Sequence, residues 1–439
     1  MEGSVREPRV LVVGGGFAGF ECARRLARPG GPAVTLVSPE DYFLYTPLLP
    51  EVAGSVLDPR HAAVPLAESL PGVRVLRGVV ADVDLDEHTA EVAVPDAAGG
   101  RTERWDRLVL TPGSVTRVLD IPGLAERARG LKTLAEAVYL RDHLLGQLER
   151  SASLPPGDPA CRACRTVVVV GASYAGTELV AQLRGLAHDA ALHYRFPASD
   201  LHVVLLDVAA EVMPEVGSRL GRRALEVLRS RGVDVRLETT LRSVQSDTVT
   251  LSDGQTLPCG TLAWVTGVTA NPLVGRLPLE LHQGRAVVDE HLQVPGRPDV
   301  FAAGDAAAVP DPTEPGSVTP PTAQHATRQG RTLARNVLAS LGGDRLTPYR
   351  HRDLGLTVDL GPGFAVANPF GVPLSGLAAK AVTRGYHLAA LPRRANRLQV
   401  GLDWLLMATS PRPLVSLGLV HPERVALDGG QREAAAPAR

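Results

Sequence analysis

The sequence predicts an α/β chain: two doubly wound, Rossmann-like units followed by a C-terminal region of helix and some strand. Three observations lead there. A strand, a glycine turn, a helix and a second strand follow one another near the N-terminus. The same order returns in the middle of the chain. The length, 439 residues, exceeds what one ordinary core holds.

The first unit opens with Arg9–Val13, a β-branched strand, and the turn Gly14-Gly15-Gly16-Phe17-Ala18-Gly19. Gly19–Ala27 reads as its helix and Ala33–Val37 as the next strand. In a G-x-G-x-x-G turn, Gly14 allows the tight bend, Gly16 lets backbone approach a pyrophosphate, and Gly19 lets helix meet strand. The helix N-terminus then faces the negative charge. The position after the second strand, which usually carries an acid for the ribose, is Ser38, with Pro39 and Glu40 behind it. Glu40 or a water takes over that contact, or it is missing. Leu108–Leu110 is a further strand, and at Thr111-Pro112-Gly113-Ser114 the chain leaves the first unit.

Ser151–Arg165 is rich in Pro, Gly, Asp and Ala and reads as a loop. It holds the pair Cys161-x-x-Cys164, which a redox site would place at the start of a helix. The second unit follows: strand Thr166–Val170, turn Gly171-Ala172-Ser173-Tyr174-Ala175-Gly176, helix Thr177–Leu186 and strand Leu201–Leu206. Ser173 replaces the second glycine. Asp207 ends the strand, where a carboxylate accepts from ribose hydroxyls and repels a 2′-phosphate, favouring NADH over NADPH. The spacing to Asp207 is long, and Gly185–Asp200 reads as an insertion. In Phe301-Ala302-Ala303-Gly304-Asp305-Ala306, Asp305 reads as a strand end whose carboxylate accepts from a ribityl hydroxyl. The turn-rich Asp311–Pro321 leads to a helix beginning near Thr322.

Composition bounds the partners. The formal net charge is −1, with 44% hydrophobic and 21% charged residues. No global field recruits nucleic acid, and the balance is that of a folded chain. No apolar run approaches the roughly 18–20 residues of a membrane span. The basic residues are nearly all Arg; Lys132 and Lys380 are the only lysines. Four cysteines are too few for a disulfide scaffold, the polar N-terminus has no apolar signal core, and no second pair of ligands near Cys161 and Cys164 indicates a metal. A cytoplasmic location is expected. In the C-terminal region, Leu374, Leu377, Ala378, Ala381 and Val382 fall on one helical face and Leu398, Leu402, Leu405 and Leu406 on another. With Trp404 and Arg384, Arg393, Arg394 and Arg397 they suit a membrane-surface foot, a dimer interface or a packed cap. Asp428–Arg439 reads as a disordered polar tail.

The order GGGFAG, TPGS, GASYAGTE and FAAGD resembles that of the two-dinucleotide-binding flavoprotein oxidoreductases, with glutathione-reductase-like FAD and NAD domains. More narrowly, Asp41–Ala53, Pro321–Gly330, Leu360–Ala367 and Leu374–Trp404 resemble the type II NADH:quinone oxidoreductases, the single-subunit, non-pumping NADH dehydrogenases of respiratory chains. The resemblance covers essentially the whole chain. It implies FAD on the first turn, NADH on the second, a hydride passed from NADH to FAD, and two electrons passed on to a membrane quinone. It divides the chain at 1–120 and 291–345 for the FAD domain, 121–290 for the NAD(H) domain and 346–439 for a dimerisation or membrane-surface region. It adds Pro47, Leu48, Val80, Gly267 and Ala323 to the cofactor-binding set, with Phe17, Ala18, Ala175 and Gly304 inside the motifs. Glu178 takes the place of a carboxylate near nicotinamide and flavin, and Gln324 borders the quinone; both are expected to be catalytic. Tyr174 either stacks on the flavin or packs in the core. A homodimer on the inner face of the plasma membrane is expected. The alternatives are a soluble FAD and NAD(P)H enzyme with a small quinone-like acceptor, a sulfide:quinone-type enzyme, and a non-catalytic NADH sensor.

Overall fold

The computed structural model describes residues 6–95, 99–155 and 157–430. Its larger sheet has six strands, in the order Gln293–Val294, Arg297–Ala302, Arg107–Leu110, Arg9–Val13, Ala33–Ser38 and Val73–Arg77. All neighbours are parallel except the first pair. The strand Arg297–Ala302 thus joins this sheet from beyond the second unit. The second sheet is parallel throughout, in the order Val233–Arg236, His202–Leu206, Thr166–Val170, Thr261–Trp264. Thr166–Val170 is buried at every position, as a central parallel strand covered on both faces must be.

Close approaches fix the packing of helices. Helix Phe17–Leu26 lies against Ala323–Gly342, where a Cβ on Gly330 would stand 2.4 Å from the Ala18 carbonyl oxygen. Arg331 of the second helix reaches Glu21 of the first at 2.9 Å. The two crossings between units, Ser114–Thr116 and Val268–Ala270, pair antiparallel.

Several elements differ from the expectation. The central helix runs Tyr174–Tyr194, 21 residues, not Thr177–Leu186. The stretch from Gly185 onward is therefore no insertion at first but two more turns of helix, buried through Leu186, Ala187, Ala190 and Ala191. The expected loop Ser151–Arg165 begins inside helix Leu134–Ser153 and contains helix Pro159–Cys164. Asp158 caps the latter, accepting from Ala160 N–H at 2.8 Å, with Pro159 in its first turn. Acid before proline is a start signal that the loop-like composition hid.

The C-terminal region holds a small antiparallel sheet, Thr357–Asp359, Ala365–Ala367 and Leu374–Gly376, then helices Leu377–Ala390 and Arg394–Thr409. Leu374 belongs to a strand, not to the helical face assigned to it. Both helices turn their apolar sides outward: Leu377, Leu398, Leu405 and Leu406 are more than half exposed. Their buried residues are Ala379, Lys380, Thr383 and His387 in one, Asn396, Val400 and Trp404 in the other. The following segment returns across the molecule. Arg412 bonds Asp189 at 2.9 Å and the Gly54 carbonyl, Ser55 donates to Pro413 O at 2.7 Å, and Asp142 accepts from the Leu417 and Gly418 N–H groups. Leu427 is buried beside the second sheet. Of the expected tail, residues 431–439 lie outside the described residues.

Candidate functional site

The two glycine turns have nearly one geometry. Gly14 has φ +98° and Gly171 φ +109°, a region that side chains with a Cβ rarely enter. A Cβ on Gly19 would lie 1.9 Å from Gly14 O, and one on Gly176 1.8 Å from Gly171 O. Nothing lies within 4 Å of a Cβ on Gly16, so that flank is open. Behind Gly16 and Ser173 start the helices Phe17–Leu26 and Tyr174–Tyr194. Neither has a side-chain cap or an acid in its first turn. Each leaves backbone N–H donors and a positive dipole end without an internal partner. A diphosphate satisfies both, so the residues present fit two dinucleotides. Phe17, Ala18, Tyr174 and Ala175 open these helices.

Around the first turn, Thr111 donates to Val13 O at 2.9 Å, and Pro112 and Gly113 (φ +75°) carry the chain outward. Ser38 is buried against Gly15, Pro39 and Glu40 are exposed, and Val80 is buried in the strand Val79–Asp84. Pro47 and Leu48 form the 3-10 turn Thr46–Leu48. Asp305 does not end a strand, as its sequence context indicated. The strand stops at Ala302, and Asp305 sits in the 3-10 turn Gly304–Ala306. Its carboxylate accepts from Ser114 at 2.5 Å and pairs with Lys132 at 3.4 Å. Gly304 N–H donates to Gln329 at 2.7 Å. Ser114 and Asp305 border a cavity of about 700 Å³, also lined by Arg117, Val268, Ala270 and Arg285. Lys132 and Arg285 were missed in the sequence; the rarity of lysine was the one available signal.

Around the second turn, Asp207 sits at the end of His202–Leu206. It accepts from the Ala172 N–H, inside the glycine turn, and from Ala209 N–H at 2.7 Å. Gly267, φ +123°, faces open space. Tyr174 is half-buried, and burial followed by the charges of Glu215 and Asp353 pushes its phenol up.

Glu178, one turn into the long helix, enters a buried polar centre built from three parts of the chain. It accepts the Asp359 N–H at 2.7 Å. Burial, followed by the nearby Asp359 and Glu51 carboxylates, raises its pKa well above the ordinary glutamate value, although the Asp359 N–H opposes this. Lys380 pairs with Asp359 and donates to Gly361 O at 3.0 Å. Glu51 is 5% exposed and accepts the Trp404 indole N–H at 2.5 Å. Tyr45 and His387 share a hydrogen bond at 3.0 Å beside it. Burial holds His387 down to about 4, so its imidazole is neutral at neutral pH. Of this centre the sequence yielded only Glu178; contacts across more than 180 residues have no local pattern.

Gln324 opens helix Ala323–Gly342, but the cap is Thr322, which accepts from His325 N–H at 3.3 Å. The Gln324 amide instead donates to Gly355 O at 2.6 Å and accepts from Arg328 at 3.2 Å. Next to it the His325 and His351 rings stack at 3.8 Å, and Tyr349 bonds both. Gln324 and Glu178 thus approach the C-terminal sheet from two different helices. Cys161 and Cys164 are buried in their short helix, and burial raises the Cys164 thiol. Among the described residues no cluster of His, Cys, Asp and Glu is arranged to hold a metal ion.

The comparisons with known proteins agree with this geometry. The model of the pyridine nucleotide-disulphide oxidoreductases matches residues 8–330. The chain is 30% identical to the demethylphylloquinone reductase NdbB of Synechocystis sp., over 91% of this chain and 96% of that one. It is 30% identical to the type II NADH:quinone oxidoreductase NdhA of Mycobacterium tuberculosis, over 90% and 86%. Its fold is similar to that of NDH2 from Plasmodium falciparum in complex with NADH, with TM-score 0.85 and 17% identity, covering 93% and 100%.

Proposed function

The chain belongs to the pyridine nucleotide-disulphide oxidoreductase family, on its type II NADH:quinone oxidoreductase branch, and we propose that it carries electrons from NADH through FAD to a quinone. The observation that carries this reading is the pair of glycine turns with uncapped helix N-termini, only the second of which has an acid on its neighbouring strand. The first turn, with Thr111 to Gly113, Gly304 and Asp305, holds FAD. The second, with Asp207 and Gly267, holds NADH. When bound, FAD supplies hydride acceptance and two-electron delivery.

The protein's own groups do the rest. Asp207 accepts from ribose hydroxyls and repels the 2′-phosphate of NADPH. Glu178, neutral through burial, holds a proton at the meeting point of the units. Gln324 and Arg328 order the end of the Ala323–Gly342 helix beside the acceptor. The test is anaerobic stopped-flow on the purified holoenzyme: bleaching by NADH but not NADPH, then reoxidation by a quinone. Failure of either half sinks the reading.

For location, no helix among the described residues is long and apolar enough to cross a membrane. The exposed Leu377, Leu398, Leu402, Leu405 and Leu406 support docking on the inner face of the plasma membrane through the two C-terminal helices. Arg60 and Arg393 line a cleft of about 350 Å³ on the same side, suited to headgroups. Vesicle flotation lost on Leu402→Asp/Leu405→Asp, with activity on a soluble quinone kept, is the expected outcome.

A further inference from the structure

The reaction proposed above has a proton requirement that one residue does not meet. A hydride from NADH brings two electrons and one hydrogen nucleus, while a quinol carries two new O–H bonds. One proton per turnover must therefore enter from the protein and be replaced from water. Resting on that reading, we propose that Glu51 is the positioning acid that restores the proton Glu178 gives to the acceptor, held in register by the Trp404 indole.

The geometry comes first. Glu51 lies on the short helix Leu49–Ala53, which is packed so closely on the Glu178 helix that a Cβ on Gly54 would stand 2.7 Å from the Gln182 side chain. Three carboxyl groups are buried together: Glu51, Glu178 and Asp359. Lys380 is committed to Asp359 and to Gly361 O. Glu51 and Glu178 each accept one N–H, from an indole and from a backbone amide. A buried carboxylate with one neutral donor is poorly compensated, so each of these two groups favours its protonated form. Arg384 lies over the Trp404 ring at 5.1 Å with a buried Nε lacking a partner, and it is the remaining cation beside Glu51. The Arg141–Asp142 pair on the neighbouring helix is bonded within itself and to the Leu417 and Gly418 amides. Burial first, then Asp359, opposed by Lys380, Trp404 and Arg384, brings Glu51 up to about 7. That value lets it lose and regain a proton in neutral water.

The step balances. The Glu178 O–H bond breaks as an O–H bond forms on the quinone, which is reduced while NADH is oxidised. The Glu51 proton passes to the Glu178 carboxylate, and water at the half-buried Arg384 refills Glu51. Trp404 lies on helix Arg394–Thr409, so the helix with the exposed leucines also orients the refilling acid.

The test uses the holoenzyme and Glu51→Gln, which still accepts from Trp404. The NADH half-reaction should stay within twofold of wild type. The quinone half-reaction should slow tenfold or more, and its decline as pH rises through about 7 should disappear. A second readout is free of turnover. The Trp404 part of the fluorescence, taken as wild type minus Trp404→Phe, should titrate near pH 7 and lose that step in Glu51→Gln. A wild-type quinone half-reaction with an unchanged pH profile in Glu51→Gln, or no fluorescence step near 7 in the parent, overturns the proposal. If the parent itself fails to pass electrons from NADH to quinone, the functional reading falls instead, and the fluorescence step still decides the ionisation of Glu51.

Discussion

Glu21 and Glu178 occupy the same place in two copies of one motif, each two residues past the final glycine of its turn, and they live in opposite surroundings. Glu21 is 5% exposed and accepts four hydrogen bonds, from Arg24, Arg25 and, across the helix pair, Arg331. Burial pulls its pKa up, but the bonds and charges of Arg24 and Arg25 outweigh that and hold it below the ordinary value. Glu178 is 8% exposed, accepts one backbone N–H and is pushed far upward. A glycine motif thus fixes where a side chain starts; the donors that meet it fix whether it is a structural anion or a stored proton. The same copying separates Ser38, buried and uncharged, from Asp207, which is wired into its own turn.

The comparison can be broken at five positions, taken from the largest expected effect down. Gly19→Ala puts a methyl into the Gly14 carbonyl, at the upper end of the roughly 1–3 kcal/mol that overpacking costs. The protein should purify colourless and melt early. Gly176→Ala should instead stay yellow and lose its response to NADH. Glu178→Gln should cut turnover on the order of 10²-fold with flavin content unchanged, read by stopped-flow. Its stability should also change with pH in a set direction. A group neutral in the fold but ionised in the unfolded chain lowers stability as pH rises above the ordinary glutamate range. The variant should lose that slope, so urea midpoints at pH 5 and 8 should differ less than in wild type.

Asp207→Asn should reduce the preference for NADH over NADPH by about tenfold, as one charge-assisted contact of about 1.5 kcal/mol is lost; the ratio of the two kcat/KM values measures it. Glu21→Gln should leave the rates alone and cost about 1–2 kcal/mol at pH 7, with its Arg partners half exposed. Because the folded Glu21 pKa is depressed, its contribution is complete above the unfolded value of about 4.3. It vanishes as pH falls through the folded value. Equal denaturant midpoints for variant and parent near pH 2–3, but not at pH 7, would confirm the sign. A Glu21→Gln enzyme with impaired turnover and normal stability would collapse the distinction drawn here.

Much of this is legible in the sequence. Strand, turn and helix repeat with local signals, so Gly14, Gly19, Gly171, Gly176 and Asp207 stand where the pattern puts them. The length of the Tyr174–Tyr194 helix was underestimated because an alanine-rich continuation reads like an insertion until its buried face is known. The polar centre was mostly illegible. Glu51 and Glu178 are far in the chain from each other and from the C-terminal Asp359, Lys380 and Trp404, and the five meet only after three segments fold together. The outward leucines of the C-terminal helices were seen as apolar faces. Their direction was not, because periodicity gives a stripe but not its neighbour.

The return of the chain through Arg412 has a consequence for biosynthesis. Its guanidinium joins Gly54 of the first unit to Asp189 of the second, and Leu427 seals the far sheet. On the ribosome both nucleotide folds emerge long before that residue does. A nascent chain short of Arg412 would therefore carry two assembled halves without this fastening, and the translation rate between Gly342 and Arg412 would set how long they wait for it.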